Sequence, residues 1–317
     1  MTSLQTGKTP GAPSPFTDDE FWAAVTVRDP LADGVFYFSV STTGVYCRPS
    51  CVARRPKRAN VRFHSTCEDA ERAGFRPCKR CRPTDLRWTE NLTWDRISSD
   101  IDDQGYAVAT HLLNQADCGS LVDLYKSDDR YRKSVDMARH GYGVGEYKYF
   151  AYPLPEIVAG LRTSLYPPLA RIANRWNEAL GSEVRYPDSH AAFLERCHSA
   201  GQIKPTPLLL RYGPGDYNRL HQDLYGDHVF PLQATILLSR PGRDFTGGEF
   251  VLTEQRARMQ SRAEIVPLEQ GDCVFFPVRL RPVQGARRNY RVNMRHGVSR
   301  LRAGHRHTLG IIFHDAK

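Results

Sequence analysis

No run of about 18 consecutive apolar residues occurs anywhere in the chain, which excludes a helix able to cross a bilayer, so no membrane partner is expected. The opening residues, MTSLQTGKTPGAPSP, carry one lysine with no apolar segment behind it, so a secretory signal is not expected and a cytoplasmic location follows. No internal repeat is visible, which removes solenoids and propellers. Acidic residues are missing from 279–306, a stretch that holds nine arginines. A second basic cluster, residues 44–88, has twelve Lys or Arg against four acids. Such clusters suit a polyanion, because each phosphate contact releases condensed counterions.

What is present is globular. Of 317 residues, 40% are hydrophobic and 25% charged, enough for a buried core and, by length, about two domains. Residues 1–16, rich in Pro, Gly, Ser and Thr, read as a disordered arm. A first folded unit spans 17–92. Thr17 followed by acids predicts a short helix over 17–30, VFYFSVSTTGVYC predicts two strands around a Thr43-Gly44 turn, and STCEDAERAG predicts a helix ending at Gly74. Residues 88–103 read as a polar connector.

The second unit, 93–317, opens with apolar spacing of three and four. YAVATHLLNQA and residues 154–181 predict helices, the latter interrupted at Pro167-Pro168. From Pro207 onward the character changes to seven β-type runs, PLLLRYG, PLQATILLS, GEFVLTE, AEIVPL, DCVFFPV, YRVNMRHGV and TLGIIFH. The fold expected is α+β, a small α/β metal module followed by a jelly roll with bracing helices.

Eight cysteines in a reducing compartment argue against disulfides. Four of them form two close pairs, Cys47-x3-Cys51 and Cys78-x2-Cys81, spacings that chelate one ion from two turns in a tetrahedral S4 site, for which zinc is the expected metal. Cys67, Cys118, Cys197 and Cys273 are scattered and read as small buried hydrophobes. Around the pairs, TTGVYCRPSCVARRPKRANVRF and AGFRPCKRCRP closely resemble the zinc domain of Ada-type adaptive-response proteins. That resemblance implies DNA binding and, at the first cysteine of the first pair, here Cys47, acceptance of a methyl group from a methylated phosphate. Four thiolates on one Zn²⁺ give a preformed nucleophile without a general base.

The later motif is His221-x-Asp223, with His296 after 72 intervening residues and Arg306 ten residues beyond. Two histidines and a carboxylate can occupy one face of iron(II), leaving three positions for a bidentate oxo-acid and dioxygen. Alternate residues of an extended segment share a face, so His221 and Asp223 are expected on one side, with His296 from a later strand of the same sheet. His305 and His307 should face away from Arg306, and His228 and His314 have no evident metal partners. RYGPGDYNRLHQD, FTGGEF, QGDCVFF and RHGVSRLRAGHRHTLGIIFHDA resemble the 2-oxoglutarate/iron(II) dioxygenases, in particular their prolyl-hydroxylase-like bacterial branch. By that resemblance the unit is a double-stranded β-helix, Arg306 pairs with the distal carboxylate of 2-oxoglutarate, and Tyr212 is a second contact to it. The Arg-x-Asn-x-Thr-x-Arg tail of AlkB-like demethylases is absent; Arg291-Val292-Asn293 precedes the distal histidine instead.

The fused modules imply oxidation of alkylated DNA, with DNA, 2-oxoglutarate and dioxygen as partners. The alternative is a protein (prolyl-type) or small-molecule hydroxylase that uses the zinc module only as a DNA tether.

Overall fold

The computed structural model describes residues 17–29, 32–86, 88–89, 92–285 and 289–317, so the expected arm at 1–16 lies outside the described residues. The chain divides into two compact units, Met1–Thr84 and Asp85–Lys317.

In the first unit, Thr17 and Glu20 form a reciprocal capping box that starts the helix Asp18–Val27. A four-stranded sheet follows in the order Val61–His64, Tyr37–Val40, Val45–Cys47, Arg76–Pro77, its last pairing parallel. Phe38, Val40, Val61 and Val25 are buried on the metal-binding side together with Cys47, Cys51 and Cys81.

In the second unit two large sheets pack face to face and a two-stranded sheet, Phe245–Gly247 with Leu301–Gly304, stands beside them, every named strand pairing antiparallel. One sheet runs in the order Ala107–Ala109, Cys273–Pro277, Leu232–Leu237, Arg306–Ile311, Leu208–Tyr212, Glu146–Phe150, Tyr131–Asp136. The other runs Arg262–Val266, Phe250–Gln255, Asn289–Val298, Tyr217–His221, Gly143–Val144, with Leu280–Gln284 also on Asn289–Val298. Phe250, Leu252 and Val266 of the second sheet meet Val274 and Phe276 of the first. Helices cover the outer side of the first sheet: Leu161, Leu165, Leu169, Trp176 and Phe193 share its core with Leu209, Ile236, Phe275 and Ile311.

Each of the seven β-type runs after Pro207 contains a strand. Three helical expectations need correction. The helix Glu156–Ala179 runs straight through Pro167 and Pro168, because Leu161, Leu165, Tyr166 and Leu169 are all fully buried and their packing outweighs the lost backbone bond. Residues 106–116 are not one helix: Gly105 (φ 87) stops the preceding helix, Ala107–Ala109 is an edge strand, and Asn114 caps a new helix, Gln115–Leu124. The polar connector is the helix Trp94–Gln104, whose Ile97 and Ile101 form a narrow buried stripe. The hairpin Tyr131–Asp136 with Glu146–Phe150 carried no expectation at all.

The segment Ile312–Asp315 is buried. Asp315, fully buried, accepts from the Arg162 guanidinium at 2.8 Å, while Arg162 Nε donates to the Ile312 carbonyl at 2.8 Å. Removing one partner of such a pair strands the other charge, so Arg162→Met should lower unfolding stability by about 3–5 kcal/mol, read by urea denaturation.

Candidate functional site

His221 closes the strand Tyr217–His221, and His296 sits opposite it on Asn289–Val298 as its direct cross-strand partner. Asp223 lies just past the strand end, so the His-x-Asp pair straddles a strand terminus instead of sharing one regular strand. The carboxylate nevertheless returns to the histidines: His296 Nε2 is 3.3 Å and His221 Nε2 3.7 Å from its oxygens, and the rings are 4.2 Å apart. Cis ligands about 2.1 Å from one ion lie roughly 3 Å apart, so this donor set fits a single octahedral cation.

The tautomer agrees. His221 Nδ1 donates to the Arg219 carbonyl at 2.7 Å, so in the neutral ring Nε2, turned to Asp223 and His296, is the nitrogen with the free lone pair. Asp223 is buried, and burial opposes its charge, yet hydrogen bonding to His296 and the nearby imidazoles hold its pKa well below the usual carboxylate range. Burial, and then the neighbouring His221, lowers the His296 pKa, favouring the neutral ligand form.

Residues that the sequence reading missed hold this carboxylate. Tyr225 donates to Asp223 Oδ1 at 2.7 Å, and Tyr149 donates to the Tyr225 oxygen at 3.1 Å. Tyr225 repeats the alternation begun at His221; Tyr149 belongs to the hairpin that had not been assigned.

His221, Asp223 and His296 line a cavity of about 370 Å³ between the sheets. At Arg306–Ile311, on the opposite sheet, Arg306 is 1% exposed and faces this cavity. Its Nε and Nη1 have no hydrogen-bond partner, and neither has the buried hydroxyl of its cross-strand partner Tyr212. Burial lowers the arginine to about 10, so it stays charged at neutral pH. Unpaired buried donors cost about 1–3 kcal/mol each, so this end of the cavity is built for an anion. His305 and His307 do not line the cavity; His307 packs against Tyr125. His314 is fully buried and accepts from the Phe230 N–H at 3.2 Å, and the backbone N–H of His228 donates to Gln202.

In the first unit, the sulfurs of Cys47, Cys51, Cys78 and Cys81 lie within 4.8 Å of one another, as one tetrahedral ion requires. Cys47 ends a strand and Cys51 follows a turn closed by its N–H on the Arg48 carbonyl at 3.0 Å. Asp33 anchors that turn, accepting from the Ser50 N–H at 2.9 Å and pairing with Arg48 at 3.4 Å. Hydrogen bonds from Cys47 and Cys81 lower the Cys51 thiol, so the cluster carries negative charge that a cation would neutralise. A pocket of about 530 Å³ is lined by Cys47 together with Arg54, Arg55 and Lys57. Cys67, Cys118, Cys197 and Cys273 are buried apart from this cluster.

Residues 145–316 match the family model described as an oxygenase catalysing oxidative methylation of damaged DNA. The chain belongs to this family. An uncharacterized protein of Mycobacterium tuberculosis (strain CDC 1551 / Oshkosh) is 49% identical to this oxygenase over 167 residues, covering 53% of this chain and 72% of the relative. Residues 20–84 match the metal-binding domain of Ada. The bifunctional transcriptional activator and DNA repair enzyme Ada of Escherichia coli (strain K12) is 58% identical over 67 residues, 21% of this chain and 19% of Ada. A solved oxidoreductase of the 2OG-Fe(II) oxygenase family from Burkholderia pseudomallei is 15% identical, covering 71% of this chain and 94% of its own, with a TM-score of 0.42.

If Tyr225 orients the oxygenase's Asp223, Tyr225→Phe should weaken Fe(II) or Mn(II) affinity roughly 10-fold, measured by equilibrium dialysis, with the thermal midpoint nearly unchanged.

Proposed function

We propose that this oxygenase is an Fe(II)- and 2-oxoglutarate-dependent dioxygenase that oxidises alkyl groups on DNA, and that its zinc module takes up methyl groups from methylphosphotriesters at Cys47. The observation that carries the first part is the buried Arg306 guanidinium, its Nε and Nη1 without partners, in the same cavity as His221, Asp223 and His296.

His221, Asp223 and His296 would hold the ferrous ion on one face. Arg306 would take the distal carboxylate of 2-oxoglutarate in bidentate fashion, with the Tyr212 hydroxyl as a further donor. Iron bound there supplies two-electron oxidation of a C–H bond by dioxygen, 2-oxoglutarate leaving as succinate and CO2. Hydroxylation of an N-methyl group yields a hemiaminal, whose C–N bond breaks to release formaldehyde and the bare base. Tyr225 and Tyr149 keep Asp223 turned toward the histidines, and Leu210, Phe250 and Val298 give the cavity apolar walls. In this reading the two-sheet unit is a double-stranded β-helix, the modules divide at 17–92 and 93–317, and the protein works in the cytoplasm.

At the zinc module, four thiolates would keep Cys47 deprotonated. Its sulfur attacks the methyl carbon of a phosphotriester: an S–C bond forms, the C–O bond breaks, and the phosphodiester leaves as an anion. Arg54, Arg55 and Lys57 on the same pocket suit the adjoining phosphates. The DNA assignment rests on the family description and on the Ada likeness of residues 20–84.

With Fe(II), 2-oxoglutarate and methylated oligonucleotides, the protein should release formaldehyde and succinate, and His221→Ala should release neither. Succinate formed only with a peptide substrate would instead establish the hydroxylase alternative. Arg306→Leu should raise the KM for 2-oxoglutarate roughly 10- to 100-fold, read by succinate release. Transfer of labelled methyl from a phosphotriester should be lost in Cys47→Ala; uptake retained in that variant would remove Cys47 as acceptor.

A further inference from the structure

An aromatic pair at the cavity is left unused by the chemistry above. His140 and Tyr142 stack with ring centroids 5.4 Å apart and planes inclined by 20°. Both line the cavity and both are exposed, Tyr142 at 51%. A flat ring pair open to water at the edge of a binding cavity offers a π face to a further ring.

The platform is rigidly built. Asp136 accepts from the Ala138 N–H at 3.1 Å to start the 3-10 turn Met137–His140, and Gly141 (φ 71) ends it. The Tyr142 N–H then returns to the Met137 carbonyl at 3.1 Å. At Gly143 (φ 138) a Cβ would lie 2.2 Å from the Tyr217 carbonyl, so only glycine permits this close strand pairing. The Arg219 N–H donates to the Tyr142 carbonyl at 2.8 Å, while the Arg219 carbonyl accepts from His221 Nδ1 at 2.7 Å. A single residue of backbone therefore ties the aromatic platform to a candidate metal ligand.

The surrounding charge suits a polyanion. Lys133 and Arg219 are exposed beside the pair, and the nearby acid Asp136 is paired with Arg139 at 3.2 Å, so these four residues leave a net positive charge. A cavity of about 370 Å³ suits one base and not a base pair, so a base must leave its stack to reach the triad. That demand is least in a single strand, whose neighbouring bases are free to splay onto an aromatic surface.

We infer that His140 and Tyr142 stack the nucleobase adjacent to the one entering the cavity, and that the oxygenase unit takes DNA as a single strand. The inference rests on the DNA reading given above and supplies its strandedness and recognition surface.

The test uses the full chain with Fe(II) and 2-oxoglutarate in the absence of dioxygen, and a DNA single strand carrying one N-methylated adenine beside 2-aminopurine. Stacking on Tyr142 should quench the 2-aminopurine fluorescence. Tyr142→Ala and Tyr142→Leu should both abolish the quench and weaken strand binding roughly 10-fold, while Tyr142→Phe, which keeps the π face, should retain both. The corresponding duplex should give little quenching. Undiminished quenching in both the Ala and Leu variants, or equal quenching by the duplex, would overturn the inference. Formaldehyde release by the unaltered protein judges the oxygenase reading separately: release with unchanged quenching sinks only the platform, and Tyr142-dependent quenching without release sinks only the chemistry.

Discussion

The cross-strand register that sets His221 opposite His296 is the constraint on which the candidate centre depends. In an antiparallel ladder a slip of one residue turns every side chain to the other face, so a shift here would send one imidazole to solvent. The register is held from both sides. Leu252 opposes His296 from the strand Phe250–Gln255, and the short strand Gly143–Val144 pairs on the far edge of Tyr217–His221. Buried Phe250 and Phe276 pack against the His296 ring at centroid distances of 6.1 and 4.7 Å, fixing its plane. Asp223, the third member of the candidate centre, needs no ladder of its own, because Tyr225 ties its carboxylate in place once the strand has ended.

The cavity is chemically divided between its walls. One sheet contributes the histidines, and the facing sheet contributes Arg306 and Tyr212. An anion held by the arginine would thus face, across the interior, an ion held by the triad. Three buried donors there lack partners, an arrangement that a carboxylate of complementary shape would relieve. The first unit follows the same economy with sulfur, where Asp33 rigidifies the Arg48-Pro49-Ser50 turn so that the Cys47 and Cys51 sulfurs meet those of Cys78 and Cys81.

Much of the fold is legible in the sequence. The strand periodicity after Pro207 and the helix beginning at Asp18 depend on local alternation and capping, and both have strong sequence signals. Helix Trp94–Gln104 was hidden because only Ile97 and Ile101 mark its buried stripe. Residues 106–116 misled because apolar spacing of three and four cannot distinguish a helix from a short edge strand followed by a turn. The proline pair misled for the opposite reason: local chemistry disfavours helix there, and burial against the sheet prevails.

The sequence by itself determined which donors are available: two cysteine pairs, a His-x-Asp, a distant histidine and an arginine, whose types and spacings restrict the metals they can serve. Only the tertiary structure decided that 74 intervening residues bring His296 beside His221, that Arg306 is left unpaired in the same cavity, and that Tyr149, Tyr225, His140 and Tyr142 surround it. The reason is physical. Ligand chemistry is a property of single side chains, whereas proximity across sheets arises from ladder register and the packing of distant segments, which no local pattern encodes.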